Sequence, residues 1–173
     1  LRQNSDHDKV ARSRNGGIFL DFNLATINEA IAEAIPDREA IVFRERRLSY
    51  RQLTGRTRRL ANLFRDHGLG CHTPRSSLAG WESGQDHLGL YLYNGNEYIE
   101  GMLGAFKSRV APFNVNYRYV DEELIYLLNN AKTKALMFNS SLADRVQKIR
   151  DQVPTLELLI QVSDDDRPLL KGA

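Results

Sequence analysis

A single cysteine, Cys71, in 173 residues excludes an internal disulfide framework, and that usage fits a reducing compartment. No apolar run approaches the roughly 18 residues that a membrane span requires. The first residues are polar and lack the hydrophobic core of a secretion signal. A cytoplasmic protein without a transmembrane segment is therefore expected. Charge of one sign is lacking too: 24 Lys and Arg stand against 22 Asp and Glu, leaving +2, which does not suggest a nucleic-acid binder. The phosphate-binding signatures are missing as well. No Walker-type glycine-lysine loop occurs, and although Gly68 and Gly70 start a dinucleotide fingerprint, Thr73 stands at its third glycine and a loop follows instead of a helix.

What is present is a 42% hydrophobic chain, enough for one domain with a real core or for part of a larger enzyme. Residues 1–17 are almost devoid of apolar side chains and read as a flexible arm, with one subdomain over 18–173. Thr26 and Glu29 have capping-box spacing, and Ile27, Ile31, Ala34 and Ile35 share the expected buried face of a helix that Pro36 stops. Ala40–Phe43 and Arg46–Tyr50 read as a hairpin across Arg44 and Glu45. Ser49 and Gln52 form a second capping box, opening a helix with the stripe Leu53, Thr57, Leu60, Ala61 and Phe64 that ends near Gly68. Leu69 to Asp86 is too punctuated by Gly, Pro and Ser for regular structure and reads as a long loop carrying Trp81, an insertion or a lid.

From His87 the rhythm is regular. Leu88–Tyr93 suits a strand buried on both faces. Asn96 is expected to cap a helix burying Ile99, Met102, Leu103 and Phe106. Val110–Val115 follows as a strand that Pro112 confines to an edge or an irregular pairing. Asp121, Glu122 and Glu123 open a helix with Leu124, Leu128 and Ala131 on one side. Lys134–Phe138 is a strand, Ser141 and Asp144 suggest a further cap before Leu142, Val146 and Ile149, and Glu157–Val162 is the last strand. Strands alternating with helices of about a dozen residues predict an α/β fold: an open, mainly parallel sheet with helices on both faces, preceded by a helix and a β-hairpin. The polar exit after Val162, with no covering helix, leaves that architecture incomplete.

Chemistry-bearing clusters are sparse. Arg44, Arg46, Arg47, Arg51, Arg56, Arg58, Arg59 and Arg65 crowd one hairpin and helix, but no aromatics interleave with them, so a solvated face is the simpler reading. His67, Cys71, His72 and His87 match no zinc spacing. Ser83, Asp86 and His87 contain the groups of a hydrolase triad but lie almost consecutively, without a nucleophile elbow. Tyrosines and asparagines gather after the Val110 strand, and loops beyond strand ends carry function in such sheets. Asn114, Asn116, Tyr117, Arg118 and Tyr119 are therefore candidates for a pocket or subdomain-interface wall.

The order and wording of two segments resemble the N-terminal part of the adenylate-forming, AMP-binding acyl-CoA synthetases, the superfamily that includes luciferase and peptide-synthetase adenylation domains. LSYRQL, from Leu48 to Leu53, is similar to an early motif of the family. GMLGAFKSRVAPFNVNYRYVDEEL, from Gly101 to Leu124, is similar to the next, except that Ser108 and Arg109 stand where the family commonly has Ala and Gly. The wording from Gly68 to Gly104 resembles most the steroid side-chain acyl-CoA synthetases of actinobacteria. The resemblance implies a ligase that converts a fatty or steroid side-chain carboxylate, with ATP, Mg2+ and CoA, to acyl-CoA, AMP and pyrophosphate. The family's phosphate loop, magnesium ligand and mobile lysine have no counterpart in this sequence. No catalytic, cofactor-binding or metal residue carries over, and the chain alone is expected to be inactive. A non-catalytic interaction or regulatory module on the same scaffold is the alternative, and a homodimer stays open.

Overall fold

The computed structural model describes residues 23–163 and 166–173, so the arm expected over 1–17 lies outside the described residues. The chain runs α1 (Leu24–Ala34), a hairpin of β1 (Glu39–Phe43) and β2 (Arg46–Ser49), α2 (Tyr50–Asp66), β3 (His87–Tyr91), α3 (Asn96–Ser108), β4 (Ala111–Asn114), α4 (Asp121–Asn130), β5 (Thr133–Asn139), α5 (Ala143–Ile149) and β6 (Leu158–Val162). The last four strands form one parallel sheet in the order β4-β3-β5-β6. Pro112 lies on β4, an edge strand, where its missing N–H costs no second ladder.

Side chains alternate across the sheet with period two. Leu88, Leu90, Ala135 and Met137 face α2 and α3, packing with Phe64, Ala105 and Val110. Tyr91, Leu136 and Phe138 face α4 and α5, packing with Leu124, Leu128, Val146 and Ile149. The expected architecture is therefore present, helices covering both faces of a parallel sheet.

Three caps differ from expectation. Asn23 opens α1, its side-chain oxygen accepting from the Thr26 N–H at 2.9 Å, so Thr26 supplies the donor and not the cap. Gly95 precedes α3, and Asn96 turns inward, donating to Glu100 Oε1 at 2.8 Å. Ser140–Leu142 forms a 3-10 turn, and α5 starts at Ala143 without a side-chain cap. The Ser49–Gln52 capping box at α2 is formed in both directions.

Two buried faces also differ. In α1 the residues turned inward are Asn28 and Ala32, while Ile27, Ile31, Ala34 and Ile35 lie outward. The cause is Glu29, which bridges Arg58 of α2 and Lys107 of α3 and so fixes the polar face against them. In α3 the buried set is Asn96, Glu100, Gly101, Gly104, Ala105 and Ser108, whereas Ile99 is exposed and Met102, Leu103 and Phe106 are only half-buried. This helix is gripped between the sheet and α2, which demands small residues. A Cβ at Gly101 would lie 2.7 Å from Leu90 Cδ2, and one at Gly104 would lie 2.9 Å from Leu60 Cδ2.

The departure from the family wording at Arg109 has a conformational meaning. Arg109 closes α3 in the left-handed region at φ 62°, with the Val110 N–H reaching back to the Ala105 carbonyl. That is the place glycine usually fills in such a helix stop.

Candidate functional site at the carboxyl end of the sheet

The connection after β3 passes to the α3 face, whereas that after β5 passes to the opposite face, so the two neighbouring strands diverge at their carboxyl ends. Ligands of open α/β sheets bind at such switch points. Here the divergence opens a cleft of about 540 Å³, walled by Tyr93, Asn94 and Asn96 after β3, by Asn139 ending β5, and by Phe43 and Arg44 of the hairpin. The Tyr93 N–H donates to Asn139 Oδ1 at 2.7 Å, closing the floor between the strands. Arg46 ties the hairpin wall to α3, donating to Glu97 Oε1 at 2.9 Å and Asn96 Oδ1 at 3.3 Å. Behind them Arg56 donates to the buried Glu100 at 2.8 Å, and that hydrogen bond holds the Arg56 guanidinium above its ordinary pKa.

Beside the cleft stands an aromatic stack. The Tyr93 and Tyr117 rings lie 4.9 Å apart at 55°, and the Arg118 guanidinium sits 5.5 Å above Tyr117. Of the residues singled out in the sequence, Tyr117 and Arg118 are thus brought to the carboxyl edge next to Tyr93. Asn116 spends its polar groups on the turn, Oδ1 accepting from Arg118 N–H and its carbonyl from Tyr119 N–H, each at 3.0 Å. Tyr119 packs into the core beneath α4 and α5. Asn114 ends β4, paired with Leu90, and is exposed.

One arginine holds this loop in place. Arg145 of α5 donates to the Tyr119 carbonyl at 2.6 Å and to the Tyr91 hydroxyl at 3.1 Å, and lies 3.3 Å from Asp121. Tyr91 is fully buried; burial pushes its hydroxyl above the ordinary tyrosine pKa, against the pull of Arg145. Neither Arg145 nor the cleft residues Asn94 and Asn139 are marked as site residues by the sequence, and Asn96 is marked there only as a helix cap. The signal was there: polar residues directly after β3 and β5, at the ends where a parallel sheet binds its ligands.

The remaining clusters have other partners. Arg46, Arg47, Arg51, Arg56 and Arg58 each pair with a carboxylate, so most of the arginine-rich face is internally compensated. His72 pairs with Asp86 at 2.5 Å, His67 meets the Leu63 carbonyl, and His87 meets the Ala131 carbonyl. Ser83 Oγ does approach His87 Nε2, at 2.9 Å, but Asp86 is turned away to His72 and to the Gly70 N–H. Among the described residues no group of three His, Cys, Asp or Glu is placed to hold a metal ion. No helix among them is long and apolar enough to cross a membrane.

Comparison with known proteins adds identity to this geometry. The family model described as AMP-binding enzyme matches residues 28–172. The medium-chain acyl-CoA ligase Mig of Mycobacterium avium is 52% identical over 153 residues, which are 88% of this chain and 28% of that protein. The 3-oxocholest-4-en-26-oate–CoA ligase of Rhodococcus rhodochrous is 32% identical, over 84% of this chain and 24% of that protein. Among solved structures, the inhibitor-bound N-terminal domain of FACL13 from Mycobacterium tuberculosis superposes with a TM-score of 0.69 at 20% identity, covering 81% of this chain and 33% of that one. The chain thus spans about a quarter of the length of these two curated relatives.

Proposed function

Because the chain belongs to the AMP-binding enzyme family, we propose that it is the N-terminal segment of an ATP-dependent acyl-CoA ligase, serving there as scaffold and as one wall of the acyl-substrate region. The observation that carries this reading is the 52% identity with Mig across 88% of the chain. The complete reaction joins a carboxylate to CoA at the expense of ATP, through an acyl adenylate. The residues here do not fit ATP or its magnesium ion. No phosphate loop stands in the sequence, and among the described residues no three of His, Cys, Asp or Glu gather where they could hold a metal ion. In this reading ATP, Mg2+ and CoA are held by parts of the polypeptide outside these 173 residues, and the chain alone is inactive.

The wall is the carboxyl edge of the sheet. Tyr93, Tyr117 and Arg118 supply an amphipathic surface, apolar ring faces with polar tips, that suits a carboxylic acid with an apolar chain. Asn116 and Tyr119 fix the shape of that surface, and Asn114 borders it. The substrate class is a fatty or steroid side-chain acid, the two classes borne by the relatives. The test is acyl-CoA formation by the full-length gene product against a panel of such acids, for the wild type and Tyr117→Ala. Thioester formation is expected, with the substitution raising KM for the acid more than it lowers kcat. A full-length product that makes no thioester from any acid would overturn the ligase reading, and an unchanged KM in Tyr117→Ala would overturn the wall.

A further inference from the structure

Ser83 and His87, which the ligase reading leaves unused, form a dyad at the amino end of β3, at the other end of the sheet from the cleft. The state of the imidazole follows from its partners. Nδ1 meets the Ala131 carbonyl, which can only accept, so Nδ1 carries the hydrogen and Nε2 the lone pair. The Ser83 hydroxyl lies 2.9 Å from Nε2 and is therefore its donor. That is the polarity a nucleophilic serine needs. The competing acceptor, the Gln85 carbonyl, is farther away at 3.3 Å, while the Gln85 N–H donates to Ser83 Oγ at 3.3 Å and favours negative charge there.

The part that a carboxylate plays in a serine-hydrolase triad falls here to a helix end. Ala131 closes α4, a helix of 10 residues, so its carbonyl has no intrahelical partner and stands at the negative end of the helix dipole. It fixes the ring and favours the imidazolium that forms when the serine gives up its proton. The serine is presented on an ordered loop. The His72 and Thr73 N–H groups donate to the Gly84 carbonyl at 2.7 and 3.3 Å, and the Asp86 N–H reaches the Gly70 carbonyl at 2.8 Å. Gly84 packs against the Thr73 carbonyl with no room for a Cβ. The N–H groups of Ser83 and Gly84 have no acceptor among the described residues, which leaves two donors beside the nucleophile for an oxyanion. Ser83 is exposed and His87 half-buried, and Ser83 shares a cavity of about 270 Å³ with Cys71, Thr73 and Leu78, room for a small acyl group.

We propose that Ser83, with His87 as its base, is a nucleophilic site that hydrolyses esters of small carboxylic acids. Ser83 Oγ attacks the ester carbonyl carbon while His87 Nε2 takes its proton. The carbon–oxygen bond to the alcohol breaks, and His87 gives the proton to the departing oxygen. Water, deprotonated by the same nitrogen, then attacks acyl-Ser83, and the acid leaves as the proton returns to Oγ. The reaction consumes neither ATP nor CoA, and it stands whether or not the ligase reading does.

The test is p-nitrophenyl acetate hydrolysis by the full-length gene product without ATP or CoA, with a fluorophosphonate as covalent probe and peptide mass spectrometry to locate it. Release of p-nitrophenolate is expected, with the fluorophosphonate on Ser83. Ser83→Ala and His87→Gln should each lower the release by about 100-fold or more, the low end of what a general base contributes. His87→Gln should also abolish the labelling of Ser83, which a merely structural histidine would leave in place. Far-UV circular dichroism checks that both variants fold. Release that survives Ser83→Ala, a Ser83 that takes no label, or one labelled at the wild-type rate in His87→Gln would overturn the proposal. If His87→Gln does not fold, the label on Ser83 and the loss in Ser83→Ala, whose side chain is exposed, decide by themselves.

Discussion

Replacing Arg145 by alanine should loosen the loop that carries Tyr117 and Arg118, and its cost follows from what the guanidinium touches. The Tyr91 hydroxyl is fully buried and would lose its donor at 3.1 Å. A buried hydroxyl left without a partner costs about 1–3 kcal/mol. The Tyr119 carbonyl, at 2.6 Å, loses a charge-assisted bond but can turn to water, which limits its share to about 1 kcal/mol. The ion pair to Asp121 adds little, because the two side chains are 34% and 45% exposed and exposed pairs contribute about 0–1 kcal/mol. Arg145→Ala should therefore destabilise the 173-residue chain by about 2–4 kcal/mol. Urea unfolding followed by far-UV circular dichroism measures it; fluorescence would not, since Trp81 is 89% exposed and reports little of the core. The double variant with Tyr91→Phe removes the stranded hydroxyl, so the pair should show a coupling of about 0.5–2 kcal/mol. A loss below about 0.5 kcal/mol for Arg145→Ala, or strict additivity with Tyr91→Phe, would refute the reasoning.

Other substitutions probe the fold from different sides. Arg109→Gly should stabilise by about 0.5–1 kcal/mol, because an arginine at φ 62° pays a steric cost that glycine does not, and the Arg109 carbonyl that accepts from Gln85 is kept; a loss on thermal unfolding would contradict this. Gly101→Ala should cost about 1–3 kcal/mol, since its Cβ would meet buried Leu90 and Met137, whereas Gly55→Ala, whose Cβ meets only Arg59 at 3.8 Å, should gain about 0.5–1 kcal/mol. Equal effects at the two glycines would sink the close-approach account of α3. Burial works against the Glu29 carboxylate, but hydrogen bonds and charge from Arg58 and Lys107 outweigh it and hold its pKa below the ordinary 4.5. Its stabilisation is then present above that ordinary value and lost as pH falls through the lower folded value. Glu29→Gln should thus be less stable than wild type at pH 7 and approach it in strongly acidic solution; a gap that widens on acidification would reverse the sign.

Much of the fold could be read from residue pattern because the deciding forces were local or periodic. Pro112 placed β4 at an edge, the continuous apolar run of β3 placed it inside, and Ser49 with Gln52 fixed the start of α2. The faces of α1 and α3 were not legible, since each was set by something across the fold. Glu29 finds its partners on two other helices, and Gly101 and Gly104 answer to Leu90 and Leu60. Periodicity names the apolar side of a helix; it does not say which side will be gripped. The candidate site was half visible. Tyr117 and Arg118 could be named from their place after a strand, but the cleft depends on β3 and β5 becoming neighbours with connections to opposite faces, which brings together residues more than 40 positions apart, as the 2.7 Å bond from Tyr93 to Asn139 shows.

The central claim is that these residues are a ligase's scaffold and not its catalytic centre. The most direct measurement is carboxylate-dependent ATP–pyrophosphate exchange by the full-length gene product and by the 173-residue chain, with the same medium-chain, long-chain and steroid side-chain acids. Exchange is expected from the full-length protein with at least one acid and none above background from the chain alone. Exchange catalysed by the 173 residues on their own would contradict the account.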